Sequence, residues 1–410
     1  MNGTKVLISG ASIAGPSLAY WLARRGAEVT VVEQAPNLRD GGHGVDFRGA
    51  QMELLHRMGI TDEVRARETA MGTQTIVDAT GRRLVELPAL FFSGEVEIAR
   101  GDLSAILYER TSDDVEYVFG DTVTALADDG AGVDVEFRRS AARRFDLVVG
   151  ADGMHSKVRS LAFGEESRFA TFHGHYAAGF RAPNHLDLDH AGVMYNEPGR
   201  SVMVSSGRDP STMDVGLVFG SDRLDYDRHD MDQVRSILTE RFAGVGWATS
   251  RLLEDLDNAP DIYFDPLEQI HLDRWSRGRV ALLGDAAWCA GPGGSGTGLA
   301  MMGAYVLAAE LDRGDHPAAF ARYQEVLAKA AAKGKWQAKG AGEFLAPPTV
   351  GKLRRRNLTY RVLSSRIMAR PFEKLVGGAA NAITLDGYPR EDDPGPADGA
   401  KCRGERDRRA

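Results

Sequence analysis

The sequence predicts an α/β protein, a Rossmann-like fold with an inserted mixed or antiparallel sheet and helices at its C-terminal end. Three observations lead to that class. Residues 5–33 read as strand, glycine turn, helix and strand, the opening unit of a parallel sheet. Short apolar runs at 145–150 (FDLVVG) and 278–283 are followed by glycine-containing turns, as expected of strands buried on both faces. Between about 166 and 270 the pattern changes to short alternating strands followed by helical stretches.

Taken in order, Lys5 to Ser9 form a β-rich run and Gly10 to Gly15 a turn. Pro16 to Arg25 form a helix with Leu18, Trp21 and Leu22 on one side, ended by Gly26. Glu28 to Glu33 form the second strand. The glycine-rich loop 41–49 (GGHGVDFRG) precedes a helix over Met52 to Met58. Strand-like runs fill 74–98, a helix covers Asp102 to Arg110, and β-rich stretches follow near 115–119 and 133–138. In the insertion, strands fall around 170–181, 192–196, 201–206 and 213–219, then helices near 230–257 and a strand at 261–265. After 278–283 a glycine cluster opens a long helix through Leu311, and residues 316–345 and 351–375 read as helices. The domain organisation predicted is 1–72, 99–165 and 271–388 as one discontinuous nucleotide-binding unit with C-terminal helices. Residues 73–98 and 166–270 form the second unit. The proline-, glycine- and charge-rich stretch 389–410 reads as a disordered tail.

Composition narrows the function classes. Hydrophobic residues make up 43% and charged residues 26% of the 410, an ordinary globular balance. A net charge of −8 argues against a nucleic-acid partner. Two cysteines, Cys289 and Cys402, are too few for a disulfide framework and wrongly spaced for zinc, so no metal site is expected. Apolar residues begin at once with Val6, Leu7 and Ile8, and no apolar run reaches bilayer length. The expectation is a cytoplasmic protein without stable membrane association. The arginines at 354–356 read as a solvated helix face, with contact to an anionic membrane the lesser alternative.

Three stretches carry chemistry. The first is Gly10-Ala-Ser-Ile-Ala-Gly15, in which glycines let backbone approach a pyrophosphate at a helix N-terminus. Ser12 replaces the middle glycine, and Ala14 lies in the same turn. Glu33, at the end of the second strand, stands where a carboxylate can hold an adenosine ribose. A tight turn of any α/β protein with Glu33 as a solvated strand end is the alternative; turn and acid together favour the nucleotide reading, and the unit does not separate FAD from NAD. The second is Asp146 to Arg159 (DLVVGADGMHSKVR). There Asp152 can accept from turn amides, and Ser156 can cap the helix carrying Arg159. The third is Gly284 to Gly298 (GDAAWCAGPGGSGTG). Asp285 is placed for sugar-alcohol hydroxyls, and Pro292, Gly294, Gly296, Thr297 and Gly298 bring loop amides and a helix N-terminus to a planar ligand.

With these motifs in this order and approximate spacing, the chain resembles the FAD-dependent monooxygenases of the para-hydroxybenzoate hydroxylase type (class A flavoprotein monooxygenases). These include the tetracycline and aromatic-polyketide hydroxylases. The resemblance covers the chain to about residue 380. It implies FAD as cofactor and NADPH or NADH as transient co-substrate. One oxygen atom of O2 would enter an aromatic or polyketide-like small molecule through a flavin hydroperoxide. No protein nucleophile or catalytic base is then needed, since the cofactor carries the redox chemistry.

The resemblance also implies residue roles. Glu33 would bind the adenosine ribose, Val123 would offer backbone to the adenine, and Arg100 would reach the ribityl or phosphate region. Asp285 would bind the ribityl chain, Asp46 and Arg48 would lie beside the isoalloxazine, and the Asp-Gly stretch with Asp152 would serve both FAD and NAD(P)H. Arg39 is the candidate for a nicotinamide 2′-phosphate. His173 and His175, on a predicted strand of the insertion, are candidate substrate contacts, although ordinary surface or core histidines are the favoured reading from the residues alone. Two departures bear on the substrate side: Trp288 and Gly298 stand where many relatives carry histidine and asparagine. A flavin-dependent dehydrogenase or oxidase on the same fold is the alternative activity, and a non-catalytic flavin- or drug-binding protein a third. A monomer or homodimer is expected.

Overall fold

A computed structural model describes residues 1–38, 44–87, 94–293, 296–364, 385 and 387–388. The chain opens with β1 (Lys5–Ser9), α1 (Ala14–Ala23) and β2 (Glu28–Glu33), followed by β3 (Gly44–Phe47), α2 (Ala50–Arg57) and α3 (Thr61–Ala66). Next come β4 (Gln74–Val77), β5 (Arg83–Leu87), β6 (Val96–Ala99) and α4 (Arg100–Glu109). Then follow β7 (Glu116–Phe119), β8 (Val123–Asp128), β9 (Val133–Phe137), β10 (Arg143–Phe145) and β11 (Leu147–Gly150). β1 pairs in parallel with β2 and β11 at its two edges, and Val6, Leu7 and Ile8 are fully buried, as in a sheet covered on both faces.

After α5 (Lys157–Phe163) and a 3-10 turn at Glu166–Arg168, the chain enters the insertion. This consists of β12 (Ala170–Pro183), β13 (Ala191–Glu197), β14 (Arg200–Ser206), β15 (Thr212–Gly220), α6 (Met231–Phe242), α7 (Thr249–Asn258) and β16 (Ile262–Ile270). It returns through β17 (Ser276–Arg277), β18 (Val280–Leu282) and α8 (Asp285–Trp288). The helices α9 (Gly296–Arg313), α10 (His316–Ala338), α11 (Ala341–Leu345) and α12 (Val350–Leu363) follow.

Two large sheets organise these elements. The first has six strands in the order β17-β18-β11-β1-β2-β7, parallel except for β17. The second has seven in the order β16-β12-β15-β14-β13-β4-β5, antiparallel except where β13 meets β4. The predicted fold class is therefore the observed one. One face of the larger sheet stacks Tyr176, Phe219 and Phe264 and is covered by Val234, Leu238 and Phe242 of α6 and Leu252 and Leu256 of α7. On a separate core, Tyr360 of α12 packs with Ile76, Val85, Leu87 and Met194.

The structure differs from the sequence reading at three places with physical causes. The run 145–150 is two strands, because Asp146 accepts from Lys5 N (2.7 Å) and so turns the chain from a small sheet (β10-β9-β8) into the parallel one. The helix read over 316–345 breaks after Ala338, where Gly340 adopts φ +83°. Val96–Ala99 pairs with β3 in a two-stranded ribbon rather than with the large sheet. The segment beyond Leu363 read as helix, all but three residues of 365–388 and the whole of 389–410 lie outside the described residues.

Candidate active site

The first glycine turn is built for contact without side chains. Gly10 has φ +108°, and a Cβ there would lie 2.4 Å from Ala151 O; a Cβ at Gly15 would lie 1.9 Å from Gly10 O. Between them, Ser12 Oγ accepts from Arg100 Nε (3.2 Å) and Nη2 (3.0 Å), and Ser12 O accepts from Ser104 Oγ at 2.7 Å. Arg100, at the head of α4, is thus brought to the turn. Glu33 closes the other side, accepting from Ala11 N and Ala35 N, each at 2.9 Å. A carboxylate has further lone-pair positions beyond these two bonds, so it can still take a ligand hydroxyl.

Next to Glu33, the amide of Asp121 donates to Glu33 O at 3.0 Å. The Asp121 carboxylate accepts from Thr122 N, Arg139 N and Ser140 N. Burial opposes its ionisation, but the bonds from Ser140, Thr122 and Arg139 prevail and hold its pKa at about 2. This junction sets the start of β8, with Val123 fully buried, beside the end of β2.

The second glycine cluster meets the first. Gly284 has φ +65°, and a Cβ there would lie 3.3 Å from both Ala14 Cβ and Ala300 Cβ, so α1 and α9 converge on this residue. Their N-termini carry partial positive charge. Asp285 opens α8 in the same groove. Its side chain reaches solvent, yet the surrounding protein raises its pKa, and the charge of Arg100 opposes that rise. A Cβ at Gly296 would lie 3.6 Å from Asp285 Oδ1. Gly298 abuts Gln51, whose Oε1 accepts from Arg48 N at 3.3 Å, and Arg48 Nε is paired with Asp46 Oδ2 at 2.7 Å. The structure therefore brings Ser12, Ala14, Arg100, Asp285 and Gly296 to one groove, with Gly298 next to the Asp46–Arg48 segment. Thr297 is half-buried in the first turn of α9. Arg39 and Gly294 lie outside the described residues.

The Asp-Gly stretch underpins this groove. Asp152 accepts from Lys157 N (2.8 Å), Val158 N (3.1 Å), Ser156 Oγ (2.5 Å) and Ser9 Oγ (3.4 Å). It ties β1 to the start of α5, and burial raises its pKa. Ser156 caps that helix by accepting from Arg159 N at 2.9 Å.

Arg159 is 0% exposed. It donates to Ala286 O (3.0 Å), Met154 O (2.5 Å) and Glu166 Oε2 (2.6 Å). Sequence reasoning missed this residue's weight. The available signal was a cation in the first turn of a helix, where the dipole disfavours it unless an anion compensates.

Pro292, His173 and His175 share a cavity of about 110 Å³ with Leu267, Glu268 and Ala290. A register shift in β12 between Phe172 and Tyr176, with Gly174 at φ +71°, shapes this wall. His175 Nδ1 is 2.9 Å from His173 O, and His173 Nε2 is buried without a hydrogen-bond partner among the described residues. Trp288 is a core residue. It is fully buried against Trp275 (ring centroids 4.5 Å apart) and Tyr323 (6.1 Å) and does not line the cavity. Among the described residues no cluster of metal-ligating side chains occurs, and no helix is long and apolar enough to cross a membrane.

Residues 3–314 match the family model described as FAD binding domain. The chain belongs to that family. A flavin-dependent monooxygenase of Legionella longbeachae serogroup 1 (strain NSW150) is 34% identical over 331 residues, covering 79% of this chain and 85% of the relative. An uncharacterized protein of Mycobacterium tuberculosis, Rv1260, is 42% identical over 327 residues, 78% of this chain and 88% of that one. The crystal structure of tetracycline destructase Tet(51) superposes with a TM-score of 0.82 at 31% identity, covering 93% of this chain and 99% of the other.

The protein is an FAD-dependent monooxygenase, and the groove fits that cofactor. Gly10 and Gly15 keep the turn tight, since a Cβ at either would strike a backbone oxygen, the starts of α1 and α9 converge, and Asp285 offers a carboxylate beside them.

Proposed function

We propose that this monooxygenase consumes NADPH or NADH and O2 to oxygenate an aromatic or polyketide-like small molecule bound at the His173–His175–Pro292 cavity. The observation that carries the reading is the convergence of α1 and α9 on Gly284, with Asp285 and Arg100 in the same groove. When bound, FAD supplies the redox chemistry, taking reducing equivalents from the nicotinamide and activating oxygen.

The chain's own residues supply position and charge. The Gly10–Gly15 turn and the α1 N-terminus would hold the pyrophosphate, Glu33 the adenosine ribose, and the backbone near Val123 the adenine. Asp285 and Arg100 would hold the ribityl–phosphate stretch. Asp46 and Arg48 on one side, and Pro292, Gly296, Thr297 and Gly298 on the other, would flank the ring system. The positive end of α9 favours negative charge at the ring, an electrostatic task that needs no protein nucleophile. Asp152 serves the cofactor indirectly, since the protein donors named above use its oxygens. His173, whose buried Nε2 has no hydrogen-bond partner among the described residues, is the group best suited to a substrate hydroxyl. The name of the tetracycline destructase supports a fused-ring, polyketide-like substrate.

The test is Asp285→Ala together with anaerobic reduction of the wild-type flavin by each nicotinamide, with and without a panel of phenols and tetracyclines. The variant should be purified largely without FAD; a yellow, fully active variant overturns the site. Flavin reduction by an organic substrate alone, without nicotinamide, would replace this reading with a dehydrogenase.

A further inference from the structure

We propose that His155 is a positioning residue whose imidazolium pins the substrate-side strand β16 to the turn that holds Asp285. The pin is a continuous chain of polar contacts. His155 Nε2 lies 3.0 Å from Asp265 Oδ1 on β16, and His155 Nδ1 lies 2.8 Å from Glu166 Oε1. The other oxygen of Glu166 accepts from Arg159, which also donates to Ala286 O, one residue past Asp285. The far end of β16 carries Leu267 and Glu268 of the cavity wall, and Ile270 N donates to Cys289 O at 3.0 Å. The spacing between cavity and cofactor groove is thereby set at both ends of α8.

The geometry requires the doubly protonated ring. A neutral imidazole has one N–H and one lone pair, so one carboxylate would face a lone pair instead of a donor. Burial works against that charge, but the bonds to Asp265 and Glu166 outweigh it and bring the pKa to about 9.

Around the pair, Arg159 and Arg228 act on Glu166, Tyr226 and Tyr263 feel Asp265, and Asp152 acts on Arg159. Because the folded-state pKa is raised, the contribution is complete below about 6.5, the ordinary histidine value. It is lost as pH rises through about 9. The inference rests on the monooxygenase fold and cofactor groove, and not on which substrate is oxygenated.

The test uses the purified holoenzyme and its apoprotein, with His155→Gln and His155→Arg. The melting temperature of His155→Gln should fall by about 2 °C or more at pH 7 and match wild type at pH 10. A purely packing role would give the same gap at both values and overturn the proposal. Amide exchange of residues 262–270, corrected for intrinsic rate, should be severalfold faster in His155→Gln at pH 7 and in wild type at pH 10. His155→Arg, with its fixed charge, should keep slow exchange at pH 10. FAD content and the rate of flavin reduction by NADPH should stay within about twofold of wild type. A selective rise in the KM for NADPH would instead make His155 a co-substrate contact and sink the proposal. Wild-type exchange in His155→Gln at pH 7 would do the same.

Discussion

Replacing Arg159 with methionine should destabilise the protein more than any surface arginine change, and the structure sets the scale. The guanidinium is 0% exposed and donates to Ala286 O, Met154 O and Glu166; water can reach the partly exposed Glu166 but not the buried bond to Ala286 O. Methionine conserves much of the volume but donates nothing. It leaves two carbonyls without their donor and Glu166 with His155 as its remaining cationic hydrogen-bond partner. Breaking one member of a fully buried pair costs about 3–5 kcal/mol, and the exposed edge of Glu166 puts this pair toward the lower end of that range. At about 2.1 cal/mol/K per residue over 410 residues, the unfolding entropy is about 0.9 kcal/mol/K, so the melting temperature should drop by about 3–6 °C.

Thermal melts of holoenzyme and apoprotein measure the loss, with bound FAD quantified in parallel because Ala286 adjoins Asp285. Arg159→Lys should fall between wild type and the methionine variant, since a lysine cannot reach three acceptors in a planar fork. A cycle with Glu166→Gln should show coupling of about 0.5–3 kcal/mol. A methionine variant that melts within 1 °C of wild type and keeps its FAD would refute the reasoning.

Other outcomes follow from single contacts. Gly15→Ala places a methyl 1.9 Å from Gly10 O, so the turn must open; the protein should purify without FAD, by absorbance at the flavin band. Asp121→Ala should cost about 2–3 kcal/mol in urea denaturation at pH 7, because three backbone amides lose a buried acceptor. Since the Asp121 pKa is lowered to about 2, its contribution should persist in full above the ordinary value of 3.8. It should fade as pH drops through about 2, visible as convergence of the two proteins in acid. His173→Phe should leave FAD content unchanged and weaken binding of a hydroxylated ring, read by perturbation of the flavin spectrum, while sparing its deoxy analogue.

Much of this architecture is legible in the amino acids because burial imposes pattern. Val6 to Ile8 and Val148 to Gly150 are uninterrupted apolar runs since both faces of the parallel sheet are covered, and Val29 to Val32 of β2 are buried likewise with Thr30 among them. Glycine spacing is legible where backbone must meet backbone, as at Gly10 and Gly15. What the pattern hides is long-range pairing. Nothing local marks Asp146 as the residue that hands the chain from one sheet to another. Nor does any local feature pair His155 with Asp265, 110 residues away. Trp288 shows a related limit: its position in the motif suggests the site, and only the packing of Trp275, Tyr323 and Gly303 around it turns the ring into the core.

The irregularity in β12 has a consequence for how readily this protein can change what it accepts. From Tyr176 onward the strand is clamped on both edges by β15 and β16, and its first three residues are paired to β16 alone. Between these lengths, residues 173–175 leave the β16 ladder but stay tied to the β15 side, where His175 pairs with Gly220 and Gly174 O accepts from Ser221 N at 3.0 Å. The two cavity-lining side chains here contribute nothing to the aromatic stack. Exchanging His173 or His175 should therefore redraw the cavity at little thermodynamic expense. The segment works as a replaceable tool bit held in a rigid chuck, and it is where libraries aimed at new substrates should begin.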